Sequence, residues 1–198
     1  MRRPLTFLPL AAALAACGGE PDRAAPALAA PPADGAWILD KAASRIGFAG
    51  TQTGKAFTGA FERFDATIVF DPADLASSRI EAAVDTFSAR TGDRQRDAAL
   101  PGAAWFAASA YPTARFSSRA IRAAGANAYE ADGTLTIRGV EKPLTLPFTA
   151  TIADGRAVAD ASVSLNRSDF GVGQGDEFAT DKWVGYEVTV TIHLEATR

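Results

Sequence analysis

The stretch Val184-Gly185-Tyr186-Glu187-Val188-Thr189-Val190-Thr191-Ile192-His193-Leu194-Glu195 decides the fold. Val184, Tyr186, Val188, Val190, Ile192 and Leu194 share one face, and Gly185, Glu187, Thr189, Thr191, His193 and Glu195 share the other. A period of two with one dry and one wet face belongs to antiparallel sheets, because parallel strands are covered on both sides. The same alternation recurs in 144–152, where Leu144, Leu146, Phe148, Ala150 and Ile152 oppose Thr145, Pro147, Thr149 and Thr151. It recurs again in Phe64, Ala66, Ile68 and Phe70, in Ile80, Ala82, Val84 and Thr86, and in Leu135 and Ile137.

Turn signals separate these runs: Asp71-Pro72, Gly125-Ala126-Asn127, Asp132-Gly133, Gly139 and Asp154-Gly155. Pro147 cannot donate to a ladder, which places it at an edge or a bulge. Many strands with one dry face must close on themselves or stack as a sandwich. The pattern breaks at 91–108, charged and then apolar around Leu100-Pro101-Gly102, and predicts one or two short helices over one end of a barrel.

The N-terminus has another character. Arg2 and Arg3 precede an apolar run ending in Leu14-Ala15-Ala16-Cys17. That is the layout of a secretory signal, too short to span a bilayer as a mature helix. It resembles a bacterial lipobox, so residues 1–16 are expected to be a lipoprotein signal peptide and Cys17 the lipid anchor. The absence of Asp after Cys17 leans towards the outer membrane. Residues 17–35, rich in Ala and Pro, read as a tether, and 36–198 as one domain. The expected location is the cell envelope, anchored to a membrane and facing the periplasm.

Composition narrows the function. Apolar residues make up 47% of the chain, enough for a core, and the net charge is −3. Loss of Arg2 and Arg3 with the signal takes this to −5. Arg90, Arg94 and Arg96 are interrupted by Asp93 and Asp97, so an acidic domain without a basic cluster is a poor nucleic-acid binder. The single cysteine allows no internal disulfide. One histidine, His193 on a polar face, cannot assemble a Ser-His-Asp or Cys-His nucleophile or a zinc site of the usual composition. Asp169, Asp176, Glu177 and Asp181 do not follow a calcium-loop spacing. Gly171-Val172-Gly173-Gln174-Gly175 does not open a helix after a strand, as a phosphate cradle requires. No enzyme, metal or cofactor is expected.

Several motifs then resemble one family. They are Trp37-Ile38-Leu39-Asp40 with Ser44 to Phe48, Gly59 to Phe64 with Ile68 to Asp71, and Arg96-Asp97 with Leu100 and Trp105-Phe106. To these add Tyr111-Pro112 with Ala114 to Ser118, Gly133 to Val140 with Lys142-Pro143, and Asn166 to Gly173. Over 37–195 the domain resembles the YceI-like family of lipid- and polyisoprenoid-binding proteins. The resemblance implies an all-β fold, an extended antiparallel lipocalin-like barrel of about eight strands with a short helical insertion. Its lumen would take an isoprenoid lipid, of quinone or polyprenyl type. Where the family carries histidines, this chain has Ala43, Thr51-Gln52-Thr53 and Ala98 or Ala99, so any head-group contact from those rings is missing or replaced.

The expected lumen set is Phe48, Phe64, Ile68, Phe70, Ile80, Val84, Phe116, Leu135, Ile137, Leu146, Phe148, Val188 and Val190. The expected mouth set is Arg94, Arg96, Asp97, Leu100, Trp105, Phe106, Phe170 and Trp183. Small inward residues, Ala66, Ala82, Ala114 and Ala150, would leave room beside the rings. Period two alone is equally satisfied by a barrel filled with its own side chains. The runs 91–97 and 171–175 also look like a subgroup near di-haem membrane cytochromes, which suggests such a cytochrome as a partner. The competing reading is therefore a non-catalytic accessory module of a membrane cytochrome or of an envelope stress-response system.

Overall fold

The computed structural model describes residues 35–198. The expected signal peptide, the Cys17 anchor and all of the tether except Gly35 lie outside the described residues.

Ten strands form one curled antiparallel sheet in the order β3-β4-β6-β7-β8-β9-β10-β1-β2-β5. They are β1 (Ile38–Gln52), β2 (Lys55–Phe61), β3 (Phe64–Val69), β4 (Arg79–Asp85), β5 (Ala89–Arg90), β6 (Thr113–Gly125), β7 (Ala128–Ile137), β8 (Val140–Ala153), β9 (Arg156–Asn166) and β10 (Glu187–Thr197). β2 and β3 are two halves of a strand bent at Glu62-Arg63, and β5 has only two residues. The long members therefore number eight, as a lipocalin-like barrel requires. The curl closes where Trp37 pairs with Ile68.

Three hairpins turn on two residues with positive φ: Thr53-Gly54, Arg138-Gly139 and Asp154-Gly155. This is the turn whose twist matches paired strands. The first of these is not among the turn signals read from the sequence. Asp132-Gly133, expected as a turn, lies inside β7 instead, where Gly133 pairs with Ser118 and Leu144. The glycine is there for space. A Cβ on Gly133 would sit 2.4 Å from the Ser117 carbonyl and 2.9 Å from the Phe116 ring, which lies over it. The strand expected from Val184 begins at Glu187, because Val184 and Gly185 pack beside Thr51 and the buried Arg167.

Gly133→Ala should therefore be costly. The blocking atom is backbone, so β6 and β7 must part or Phe116 must leave its rotamer. Overpacking of this kind costs about 1 to 3 kcal/mol. A thermal midpoint matching the wild type would show that the wall has slack at this point.

The ladder between β8 and β9 is incomplete. It runs from Ala153/Arg156 only as far as Phe148/Ala161, although both strands continue. Proline explains this. Two-residue hairpins flank β8, so Val140 bonds to β7 and Ala153 bonds to β9. Hydrogen bonding alternates along a strand, so the odd-numbered residues of β8 face β9. Pro143 and Pro147 are odd-numbered and have no N–H to give. Pro147 thus marks the point where β8 becomes an edge.

Packed side chains stand across both ends of the barrel. At the lower end Phe70, Tyr129 and Phe148 pack at centroid distances of 4.9, 5.6 and 5.4 Å. There Trp37 Nε1 donates to the Phe70 carbonyl at 2.9 Å. At the upper end lies the insertion, with helix α1 (Arg94–Ala99) followed by turns, as expected for 91–108.

Candidate functional site

The inward faces of the strands enclose a lumen that side chains do not fill. It has an upper chamber of about 190 Å³ and a lower one of about 110 Å³. Ile46, Ala82, Phe116, Leu146 and Ile192 line both, so the two meet at one waist.

Of the expected lumen set, Phe48, Val84, Leu135, Ile137, Val188 and Val190 line the upper chamber. Phe64, Ile68, Phe70, Ile80 and Phe148 line the lower one. Phe116 and Leu146 stand at the waist, and the small residues Ala66, Ala114 and Ala150 also line the space. Phe70 and Phe148 do double duty in the aromatic plug below.

The expected mouth set divides. Leu100, Trp105, Phe106 and Phe170 line the upper chamber and roof it. Phe106 meets Phe61 at 5.8 Å and Trp105 meets Phe178 at 4.8 Å, both edge-on. Arg94, Arg96, Asp97 and Trp183 lie off the chamber wall. Arg94 is exposed on α1. Arg96 donates to Gln52 Oε1 at 2.9 Å and lies over the Phe57 ring, clamping α1 to the β1–β2 hairpin. Burial works to raise the Asp97 carboxyl, but hydrogen bonds from the Thr91 hydroxyl and N–H outweigh it and hold the group below the usual range. Trp183 is half-exposed, with the Lys182 ammonium over its ring.

The residue that organises the roof is Arg167, 5% exposed. Its Nε donates to Gly185 O at 3.0 Å. Nη1 donates to Val172 O at 2.8 Å and Gly173 O at 3.3 Å, and Nη2 to Val184 O at 2.9 Å and Phe178 O at 3.3 Å. All five donors of the guanidinium are thus spent on carbonyls. Among the described residues no carboxylate pairs with it, and burial depresses its pKa. The Trp105 and Tyr186 rings flank the cation at 5.6 and 5.1 Å. The sequence reading quoted Arg167 in a motif but gave it no role. Nothing local announces that an arginine after a strand will turn inward.

The expected lumen set also left out Ile46, Phe57, Phe61, Val163 and Leu165 of the upper wall, and Leu144 and Ile192, which the alternation had placed on dry faces. The inward face of β9 is mostly alanine (Ala157, Ala159, Ala161), so its alternation was faint. His193 lies on the outer face, as expected. Its Nδ1 is 2.7 Å from Asp160, and that hydrogen bond is the main cause holding its pKa above the ordinary imidazole range. Among the described residues no cluster of three or more His, Cys, Asp or Glu could hold a metal ion.

The wall is thus hydrocarbon, and its one buried charge is saturated with internal hydrogen bonds. Such a space can solvate an apolar chain of varied head group. It offers no free acid or base aimed at a bound molecule.

Residues 37–196 match the family model described as YceI-like domain. The chain is 32% identical over 141 residues to a UPF0312 protein of Pseudomonas putida (strain W619), covering 67% of this chain and 71% of that one. It is 33% identical over 120 residues to a UPF0312 protein of Vibrio cholerae, covering 58% and 64%. Among solved structures, BcnA of Burkholderia cenocepacia superposes with a TM-score of 0.77 at 35% identity, over 80% of this chain and 99% of that one. A polyisoprenoid binding domain from Saccharophagus degradans superposes with a TM-score of 0.65 over 81% and 97%, at 16% identity, a likeness of fold alone.

Proposed function

The chain belongs to the YceI-like family, and from that premise we propose that it is a binding protein whose lumen shelters the apolar tail of an isoprenoid lipid, of quinone or polyprenyl type. The observation that carries this reading is the unfilled, two-chambered hydrocarbon lumen, closed below by aromatic rings and roofed above. Empty apolar space forfeits packing contacts, at roughly 24 cal/mol per Å³ of residual cavity. A fold that keeps such space is best explained by something that occupies it. The polyisoprenoid binding named for the Saccharophagus degradans domain of the same fold supports the same ligand class.

The reading is of a binder and not of a catalyst, because the lining carries no acid–base pair. We place it in the cell envelope, with Cys17 as its membrane anchor, on the strength of the lipobox-like N-terminus. The outer membrane, and a di-haem cytochrome as the quinone's user, belong to the same proposal. Trp37, where the strands begin, lies at the lower end, opposite the roof.

Native mass spectrometry of the purified protein, with extraction of what it carries, tests the reading. One polyisoprenoid or quinone per chain is the expected result. A mass that stays at the apo value after incubation with ubiquinone would refute it and move the accessory-module reading to first place.

A further inference from the structure

We infer that Arg167 makes the roof a charge filter: of lipids that share one tail, the lumen favours the one whose polar end is negative and disfavours the one whose polar end is positive. This rests on the reading of the lumen as a lipid site. The chemistry selected is an oxygen bearing negative charge, as a carboxylate or a phosphate presents it.

Hydrogen bonding and charge are separate requirements. Five carbonyls satisfy the N–H groups of Arg167, but dipoles do not cancel a unit charge. A carboxylate would cancel it, and among the described residues none pairs with Arg167. Taking an unpaired ion out of water is costly, yet the chain is shaped around this one. Gly173 holds a φ of +83°, and a Cβ there would collide with Nη1 of Arg167.

That charge borders the ligand space. Arg167 lines the upper chamber beside Phe170, Val172 and Val184. In such apolar surroundings the field of a cation is screened far less than at a surface. The other charged residue on this chamber, Arg115, lies between the inward Ala114 and Phe116 of β6, so strand parity turns its exposed side chain outward. Among the described residues no Asp or Glu lines the upper chamber. The one charged residue on the lower chamber, Asp160, is engaged with His193 on the outer face. The lumen therefore has a positive end at the roof and a hydrocarbon end at the floor. Because the donors of Arg167 are spent, the filter reads the sign of a head group and not its shape.

The test uses three ligands with one tail on the full chain at pH 7: farnesoic acid, farnesol and farnesylamine, which are anionic, neutral and cationic. Farnesol reports on the lumen itself. Wild type should bind farnesoic acid about tenfold more tightly than farnesylamine. Arg167→Met should bring that ratio close to one, and Arg167→Lys, which keeps the charge, should preserve it. A loosened roof acts on all three ligands alike, so the ratio isolates the charge at temperatures where each variant is folded. Val172→Glu is a second route should the methionine variant fold poorly. It offers the guanidinium a carboxylate, leaves the Val172 carbonyl bond in place, and should erase the preference too. Arg115→Gln should leave the preference as it is. Wild type that holds farnesol but binds acid and amine alike, or prefers the amine, overturns the filter while the lumen reading stands. A preference that survives loss or neutralisation of the Arg167 charge, or that falls with Arg115→Gln, overturns it as well. If farnesol itself does not bind, the lumen reading falls and the filter with it.

Discussion

Arg167→Met should lower stability by about 3 to 5 kcal/mol, near the top of the range for single substitutions. The size follows from what is left behind. Gly185, Val172, Gly173, Phe178 and Val184 each lose the donor that satisfies a carbonyl, and methionine brings none. An unsatisfied buried acceptor costs about 1 to 3 kcal/mol, and partial entry of water into the roof brings the total below five separate penalties. For a domain of this size each kcal/mol moves the midpoint by about 2 to 4 °C, so a fall of roughly 10 °C is expected by differential scanning calorimetry. Arg167→Lys should recover little of it. An ammonium has three donors at a point, and the carbonyls are arranged around a planar fork. A lysine variant as stable as the wild type would show that charge, and not the fork, holds the roof.

The loss should also reach binding. Val184 and Gly185 line the upper chamber and are held there by the same guanidinium. When the clamp goes, the 167–186 segment loses its common anchor and the roof over Phe170 and Trp105 loosens. Prenol release should then quicken at temperatures where the variant is still folded, which distinguishes a loosened roof from global unfolding.

The barrel was legible because its signal is redundant. Antiparallel strands with one dry face repeat period two many times over, and β8 alone shows it cleanly at Leu144, Leu146, Phe148 and Ala150. The lumen residues chosen from β3, β4, β7 and β8 all face a chamber, though Leu144 of β8 also lines the upper one and was not among them. What failed was what period two does not encode. Asp132-Gly133 has the composition of a turn, yet the glycine answers a ring lying across the sheet from Phe116, a contact between strands invisible in local sequence. The mouth was read from proximity in sequence to the insertion, which is why Leu100, Trp105 and Phe106 reached the chamber while Arg94, Arg96 and Asp97 did not. On a six-residue helix only one face can look inward, and here the polar face is engaged with Thr91 and Gln52. The gap in the wall was half legible: Pro147 announced an edge, but which neighbour it would lose depends on hairpin phase, which only the paired register supplies.

Ala82→Trp should abolish prenol binding, by at least about a hundredfold, while leaving stability within about 1 kcal/mol of the wild type. Ala82 lies on β4 between Ala66 and Phe116 and lines both chambers, so an indole there fills the waist. In a packed core such a change would cost about 1 to 3 kcal/mol by overpacking. In an unfilled lumen the ring enters space that is already present, and the apolar area it buries, at about 25 cal/mol per Å², offsets the local adjustment. The combination is diagnostic. Stability lost together with binding would mean that the waist has no room and the lumen is a core. Stability kept with binding intact would mean that the lipid sits elsewhere on the molecule. Stability kept with binding lost for farnesol and solanesol alike places the ligand inside. A block at the waist removes the site for every tail, because both chambers meet there.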